Sequence, residues 1–103
     1  MSLPVRIISV GSNTPGMRVT SEQLDRRFGR SAGTTAARSG VRERRWIGTG
    51  ETSVTMAVAA LGQALQRAEL AVDDLDALIV ASVLPEQPMP TTAVLAAHAL
   101  GVS

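Results

Sequence analysis

The strongest indication of the fold class is an apolar run at residues 77–82, Ala77-Leu78-Ile79-Val80-Ala81-Ser82. This run shows almost no alternation between apolar and polar side chains, which is typical of a strand that is covered on both faces, as in a parallel sheet. A second strand is predicted at residues 5–11, Val5-Arg6-Ile7-Ile8-Ser9-Val10-Gly11, because β-branched residues dominate it and a glycine closes it. We expect the two strands to lie parallel in one sheet.

A helix is predicted between these strands, from Thr52 or Ser53 to about Glu69. Its apolar residues recur at helical spacing, and a hydroxyl side chain at either starting position can cap the first turn. The apolar positions are Val54, Val58, Leu61, Leu65 and Ala68. A final helix is predicted at residues 93–100, after a threonine cap and before Gly101. The order strand, helix, strand, helix predicts an α/β fold with right-handed crossovers.

Shorter elements are predicted between the first strand and the long helix. Thr20 and Gln23 have the spacing of a capping box, which predicts a short helix ending at about Phe28. Residues 30–40 contain two glycines and several serines and threonines, which is typical of a loop. Residues 41–47 are interpreted as a short and heavily charged strand.

Composition excludes several kinds of site. The 103 residues include no Cys and a single His, His98, so a disulfide framework and a thiolate or histidine metal site lack ligands. No apolar run approaches the ~20 residues that cross a bilayer. Residues 1–6 lack the charged-then-apolar layout of a signal peptide. We therefore expect a cytoplasmic protein that binds no metal and no membrane.

Charge is distributed unevenly although the net charge is only +1. Residues 1–50 hold nine arginines and three acidic residues, whereas residues 51–103 hold one arginine and six acidic residues. Every basic residue is an arginine, whose planar fork suits phosphates and carboxylates. Two interpretations remain open: the first half faces an anionic partner, or the two halves neutralise each other within one fold.

The densest charge lies at residues 38–46, Arg38-Ser39-Gly40-Val41-Arg42-Glu43-Arg44-Arg45-Trp46. These arginines are interpreted either as an anion-binding lip or as a surface strand in which acidic side chains pair with them. Nucleic acid is disfavoured as a partner, because the net charge is nearly neutral and the chain has only two aromatic residues.

The same segment carries a resemblance to a known family. Residues 38–44 resemble the R-T-G-I-R-E-R stretch of β-ketoacyl-acyl-carrier-protein synthase III, a condensing enzyme of the thiolase fold. Further resemblances follow in the family's order. They are the opening strand and turn at 8–15, an E-T-x-x-x-M helix start at 51–57, a buried strand at 78–82 and a helix entry at 89–93.

The resemblance implies a fold, a reaction and partners. Family members are much longer chains with two similar α/β halves in α-β-α-β-α layers, and they work as homodimers. They transfer an acyl group from coenzyme A to a cysteine and condense it with malonyl carrier protein, releasing carbon dioxide and using no cofactor. Residues 1–103 then correspond to the N-terminal part of the first half. The catalytic Cys, His and Asn are expected beyond Ser103, so this chain holds no catalytic residue.

Three substrate-binding residues are implied by the resemblance. Arg38 matches an arginine that holds the adenine end of coenzyme A. Thr34 stands where the family has a tryptophan that stacks on the nucleotide, so the flat stacking surface is absent. Met89 matches an aromatic residue that reaches across the dimer and shapes the partner's acyl pocket.

Two alternatives to a synthase III condensing enzyme remain. The first is a thiolase-fold relative that transfers acyl groups to an alcohol or amine, or joins two acyl chains, to which the missing tryptophan points. The second is a small partner subunit with no catalysis of its own.

Overall fold

Residues 2–83 and 87–102 are described by the structure, a computed structural model. The elements are β1 (Met17–Thr20), α1 (Ser21–Arg27), α2 (Thr34–Ser39), β2 (Glu43–Trp46), α3 (Ser53–Ala68), a 3₁₀ helix (Val72–Asp74) and α4 (Thr92–Leu100). The chain divides into two compact units, residues 14–51 and the remainder on either side of them. Within the described ranges, no helix has the length and apolar character needed to cross a membrane.

A two-stranded sheet lies in the unit formed by residues 14–51. β1 pairs antiparallel with β2, with Met17 opposite Trp46 and Thr20 opposite Glu43. β2 confirms the charged strand predicted from the sequence, within narrower bounds. Val19 of β1 is buried at 7% exposure and belongs to the small core.

α1 begins at the end of β1 because Thr20 caps it. The Thr20 hydroxyl accepts a hydrogen bond from the Gln23 backbone N–H at 3.2 Å, and the Gln23 side-chain oxygen accepts from the Thr20 N–H at 2.7 Å. This reciprocal pair confirms the predicted capping box. The helix ends at Arg27 with Phe28 as its C-cap, as the sequence predicted.

The loop predicted at residues 30–40 is wrong, because residues 34–39 form α2. Gly33 precedes this helix with φ of 85° and offers no side chain to cap it. Asp25 of α1 supplies the missing acceptors, since its carboxylate accepts hydrogen bonds from the N–H groups of Gly33 and Thr35. Glycine, serine and threonine predict a loop from local hydrogen bonding alone, whereas here a carboxylate from the preceding helix decides the conformation.

α3 and α4 pack against each other in the second unit. Thr52, one of the two cap positions predicted, caps α3. Gly101 closes α4 with φ of 89°, as predicted. Leu65 and Ala96 provide the buried apolar contacts of these helices, with exposed fractions of 9% and 1%.

The strands predicted at residues 5–11 and 77–82 are not formed. Neither stretch has an assigned strand, and the sheet found among the described residues is antiparallel instead of parallel. A strand forms only when a neighbour completes its hydrogen-bond ladder. Several apolar side chains of both stretches stay open to solvent, with Ile7 84% and Ile79 88% exposed, whereas Leu78 and Val80 are half-buried. The two stretches do line one common pocket of about 420 Å³ beside α3.

Residues 9–12 lie directly against α3. The Ser9 hydroxyl donates to the backbone oxygen of Ala64 at 2.7 Å. A Cβ atom built on Gly11 would stand 2.1 Å from the backbone oxygen of Ala60, so only glycine permits this approach. The sequence therefore located a segment that packs on the helix, although it does so without forming a strand.

Candidate functional site

α2 carries two of the three substrate-binding residues expected from the sequence. Thr34 and Arg38 are four residues apart, which places them on one face of the helix. The Thr34 hydroxyl donates to the backbone oxygen of Ser31 at 2.7 Å. Arg38 is exposed in the last turn, and its guanidinium forms no hydrogen bond or ion pair with any residue that the structure describes. This guanidinium is therefore available to an anionic ligand.

Asp25 holds the opposite end of the same helix. Its carboxylate accepts hydrogen bonds from the Thr35 hydroxyl at 2.6 Å, the Thr35 N–H at 2.9 Å and the Gly33 N–H at 3.0 Å. The side chain is only 2% exposed. The Thr35 hydroxyl is the main cause that lowers the pKa of Asp25. The two N–H groups and Arg30 lower it further, against an opposing effect of burial. The carboxylate is therefore ionised at neutral pH.

A cleft of about 840 Å³ lies within the unit of residues 14–51, beside α1 and α2. Four arginines line it together with three acidic residues: Arg18, Arg26, Arg30 and Arg42, with Glu22, Asp25 and Glu43. Neither Thr34 nor Arg38 belongs to this lining. The cleft is therefore close to charge balance and separate from the face that carries the predicted coenzyme A contact.

The arginines of residues 38–46 do not act as one surface. Glu43 pairs with Arg18 at 2.6 Å and lies 3.9 Å from Arg45, which supports the interpretation of a charged surface strand for this part. Arg44 turns inward and donates to the Ser21 hydroxyl at 3.1 Å. These ion pairs join residues of the first half of the chain. Arg38 is set apart from them by its place on α2.

Met89 lies in the other unit, in the segment that precedes α4. Its side chain is 77% exposed, and its backbone oxygen accepts a hydrogen bond from the Gln87 side chain at 2.9 Å. An exposed thioether beside a helix start is free to contact another surface. The structure thus leaves Met89 open, but it does not bring this residue together with Thr34 and Arg38 within one unit.

Groups for nucleophilic or metal chemistry are scarce. The sequence contains no Cys, and His98 is exposed in the last turn of α4. Over residues 2–83 and 87–102, no group of three His, Asp or Glu side chains could hold a metal ion. Among the described residues, the helix that carries Thr34 and Arg38 therefore offers groups suited to binding contacts and no cluster suited to metal chemistry.

Asp25 was not singled out from the sequence. An acidic residue in a short amphipathic helix is usually interpreted as a solvated side chain, and no local spacing links it to Thr35. The only available signal was the absence of a capping side chain at Gly33, and this signal has meaning only once residues 34–39 are known to be helical.

Relatives of known structure share this fold. The chain superposes on 3-oxoacyl-[acyl-carrier-protein] synthase III from Aquifex aeolicus with a TM-score of 0.85 and 33% identity, covering 91% of this chain and 30% of that one. The priming β-ketosynthase of the R1128 polyketide pathway gives a TM-score of 0.82 at 29% identity. The chain therefore has the fold found in the thiolase-fold condensing enzymes, which confirms the α/β class expected from the sequence.

Sequence relatives narrow this class. The chain is 36% identical over 96 residues to 3-oxopimeloyl-[acyl-carrier-protein] synthase of Rhodothermus marinus. It is 35% identical over 100 residues to β-ketoacyl-[acyl-carrier-protein] synthase III of Deinococcus deserti. These matches cover 93% and 97% of this chain, which spans only 28% and 29% of the two relatives. No family model matches the chain. The chain is a homologue of the synthase III enzymes over a part of their length, as its motifs indicated.

Proposed function

We propose that this chain is the N-terminal part of the first thiolase-like half of a synthase III-type acyltransferase. In this proposal, a cysteine thiolate outside these residues attacks the thioester carbonyl of an acyl-CoA and releases coenzyme A. Malonyl carrier protein then loses carbon dioxide, and the resulting enolate carbon attacks the acyl-cysteine. A carbon–carbon bond forms, the cysteine leaves as thiolate, and a 3-oxoacyl carrier protein is released. The homology to synthase III enzymes carries this proposal.

The described residues contribute substrate contacts to this reaction. Arg38 binds the nucleotide end of coenzyme A through charge-assisted hydrogen bonds, which its exposed and unpaired guanidinium permits. Thr34, one turn earlier, provides a hydroxyl where the family has a stacking ring. Met89 borders the acyl pocket of a partner subunit, so the enzyme acts as a homodimer. This homodimer acts in the cytoplasm. No cofactor takes part, because the thioester itself activates the acyl group.

A thiolase-fold enzyme with a different acyl acceptor is the second candidate. The threonine at position 34 favours it, because loss of the stacking surface weakens recognition of a free nucleotide. A non-catalytic subunit has no such support, since the matched relatives are named as synthases.

A condensation assay tests the main proposal. The full-length protein that carries this segment should convert an acyl-CoA and malonyl carrier protein into 3-oxoacyl carrier protein, with one carbon dioxide released per product. Mass spectrometry of the carrier protein measures the product directly. Without malonyl carrier protein, the reaction should stop at an acylated enzyme. Acylation followed by transfer to an alcohol or amine, with no carbon dioxide, would favour the second candidate instead.

Replacing Met89 with phenylalanine tests the acyl-pocket assignment. The flexible thioether adapts to chains of different size, whereas a rigid ring should exclude longer ones. The ratio of kcat/KM between short and long acyl-CoA donors should therefore rise by about tenfold. Leu3→Phe is the matched control, because Leu3 is 78% exposed in the same unit and has no assigned role. An unchanged ratio in Met89→Phe would remove this residue from the pocket.

A further inference from the structure

The position of α2 depends on a side chain from another helix. α2 has only six residues, and a helix this short is not stable by its own hydrogen bonds. Its N-cap residue is Gly33, which has no side chain to accept a hydrogen bond. Three hydrogen bonds to Asp25 of α1 replace that cap, with lengths of 2.6–3.0 Å. The start of α2 is therefore fixed to α1 by one buried carboxylate.

The hydrogen-bond geometry restricts both the tilt and the rotation of the helix. One carboxylate oxygen of Asp25 contacts the N–H and the hydroxyl of Thr35, and the other contacts the N–H of Gly33. Arg30 donates to the same Thr35 hydroxyl at 3.1 Å and supports it from the cleft side. Hydrogen bonds from Gly33 and Thr35 to two different carboxylate oxygens leave α2 little freedom to pivot about its first turn.

Arg38 stands three residues beyond Thr35, close to the other end of the helix. It has no hydrogen-bond partner of its own among the described residues, so its location follows that of α2. A rotation of α2 about its first turn would carry the guanidinium away from any phosphate placed to meet it, and a contact of this kind depends on direction as well as distance.

We propose that Asp25 is a positioning residue for the coenzyme A contact of Arg38, acting through the first turn of α2. This inference rests on the proposed function, because it takes Arg38 as the nucleotide contact. Asp25 touches no substrate in this role, and its effect should appear in the binding of the acyl-CoA donor. The carrier protein substrate and the chemical step should not depend on it.

The replacement Asp25→Asn tests this inference with almost no change in volume. An amide has one oxygen and one NH2 group, so one of the N–H donors at the start of α2 would face another donor. In the full-length enzyme, the KM for acyl-CoA should rise by about tenfold. The kcat and the KM for malonyl carrier protein should stay within about twofold of wild type. Glu22→Gln is the matched control on α1, because it removes the same charge from a side chain that makes no hydrogen bond among the described residues.

Combining Asp25→Asn with Arg38→Ala separates positioning from general damage. If Asp25 acts through Arg38, the double variant should have the acyl-CoA KM of Arg38→Ala alone, because the misplaced side chain is already gone. Multiplying effects, or a fall in kcat with an equal rise in both KM values, would overturn the inference. If Arg38→Ala leaves the acyl-CoA KM unchanged, the nucleotide contact itself is wrong, whatever Asp25→Asn does.

Thr35 provides a milder variant in case Asp25→Asn does not fold. Thr35→Val removes the hydroxyl hydrogen bond and keeps the N–H contact, so it should raise the acyl-CoA KM by a smaller factor than Asp25→Asn. Thr35→Ser keeps both contacts and should restore the wild-type value. Hydrogen exchange should show faster exchange of the amides of residues 35–39 in Thr35→Val and unchanged exchange in α3. A valine variant with wild-type KM and wild-type exchange would contradict the inference.

Discussion

Replacing Arg38 with alanine is expected to weaken coenzyme A binding to the full-length protein by roughly 10- to 100-fold at low salt. A hydrogen bond to a charged group contributes about 1.5–3 kcal/mol. Thr34 provides no stacking surface that could add to the binding free energy of the nucleotide. Binding should therefore depend more on charge than in relatives that carry the tryptophan. Titration calorimetry at two salt concentrations measures both the affinity and its salt dependence.

Two variants sharpen this experiment. Arg38→Lys keeps the charge but loses the planar fork, so its affinity should fall between those of wild type and Arg38→Ala. Arg6→Ala removes the same charge from an exposed side chain that makes no hydrogen bond or ion pair among the described residues, and it should leave binding unchanged. Wild-type affinity in Arg38→Ala at low salt would show that this arginine does not contact coenzyme A.

Replacing Gly11 with alanine should destabilise the protein more than any other single methyl addition considered for this chain. The new Cβ atom would lie 2.1 Å from the backbone oxygen of Ala60 and 2.7 Å from the backbone nitrogen of Ala64. Neither atom can move without distorting α3, so the segment at residues 9–12 must leave the helix. Overpacking of this kind costs about 1–3 kcal/mol, and a contact with backbone should lie at the upper end. A thermal melt of the full-length protein measures the loss as a lower Tm.

Gly62→Ala is the matched control for this prediction. Gly62 lies inside α3, and a Cβ atom there would meet nothing within 4 Å. Alanine in a helix interior is favoured over glycine by about 0.5–1 kcal/mol, so this variant should melt at a slightly higher temperature. Equal Tm values for Gly11→Ala and wild type would show that residues 9–12 do not approach α3 as closely as the structure has them.

The boundaries of α1, α3 and α4 were well predicted because they depend on neighbours in sequence. The capping box of Thr20 and Gln23 satisfies its hydrogen bonds within three residues, and so does the cap at Thr52. Gly101 ends α4 through its own backbone conformation. Capping interactions of this kind involve residues only a few positions apart, so the local sequence alone determines them.

Strands were predicted less well because each needs a partner that no local pattern identifies. The apolar run at residues 77–82 has the composition of a covered strand, yet the structure describes no ladder for it and leaves Ile79 exposed. β1 was missed, although it pairs residue by residue with β2. A strand forms only by pairing with a second segment. Because the two segments are far apart in sequence, local patterns do not show which segments pair.

The candidate site divides in the same way. The motif at residues 38–44 identified Arg38 and the position of Thr34 through resemblance, and that resemblance is matched by homologues over nearly the whole chain. The tertiary structure decided that both residues stand on a helix instead of a loop, because Asp25 caps that helix from 8 and 10 residues away. A carboxylate at this distance in sequence can act as a cap only after α1 has folded beside α2, and this is why no local pattern indicates it.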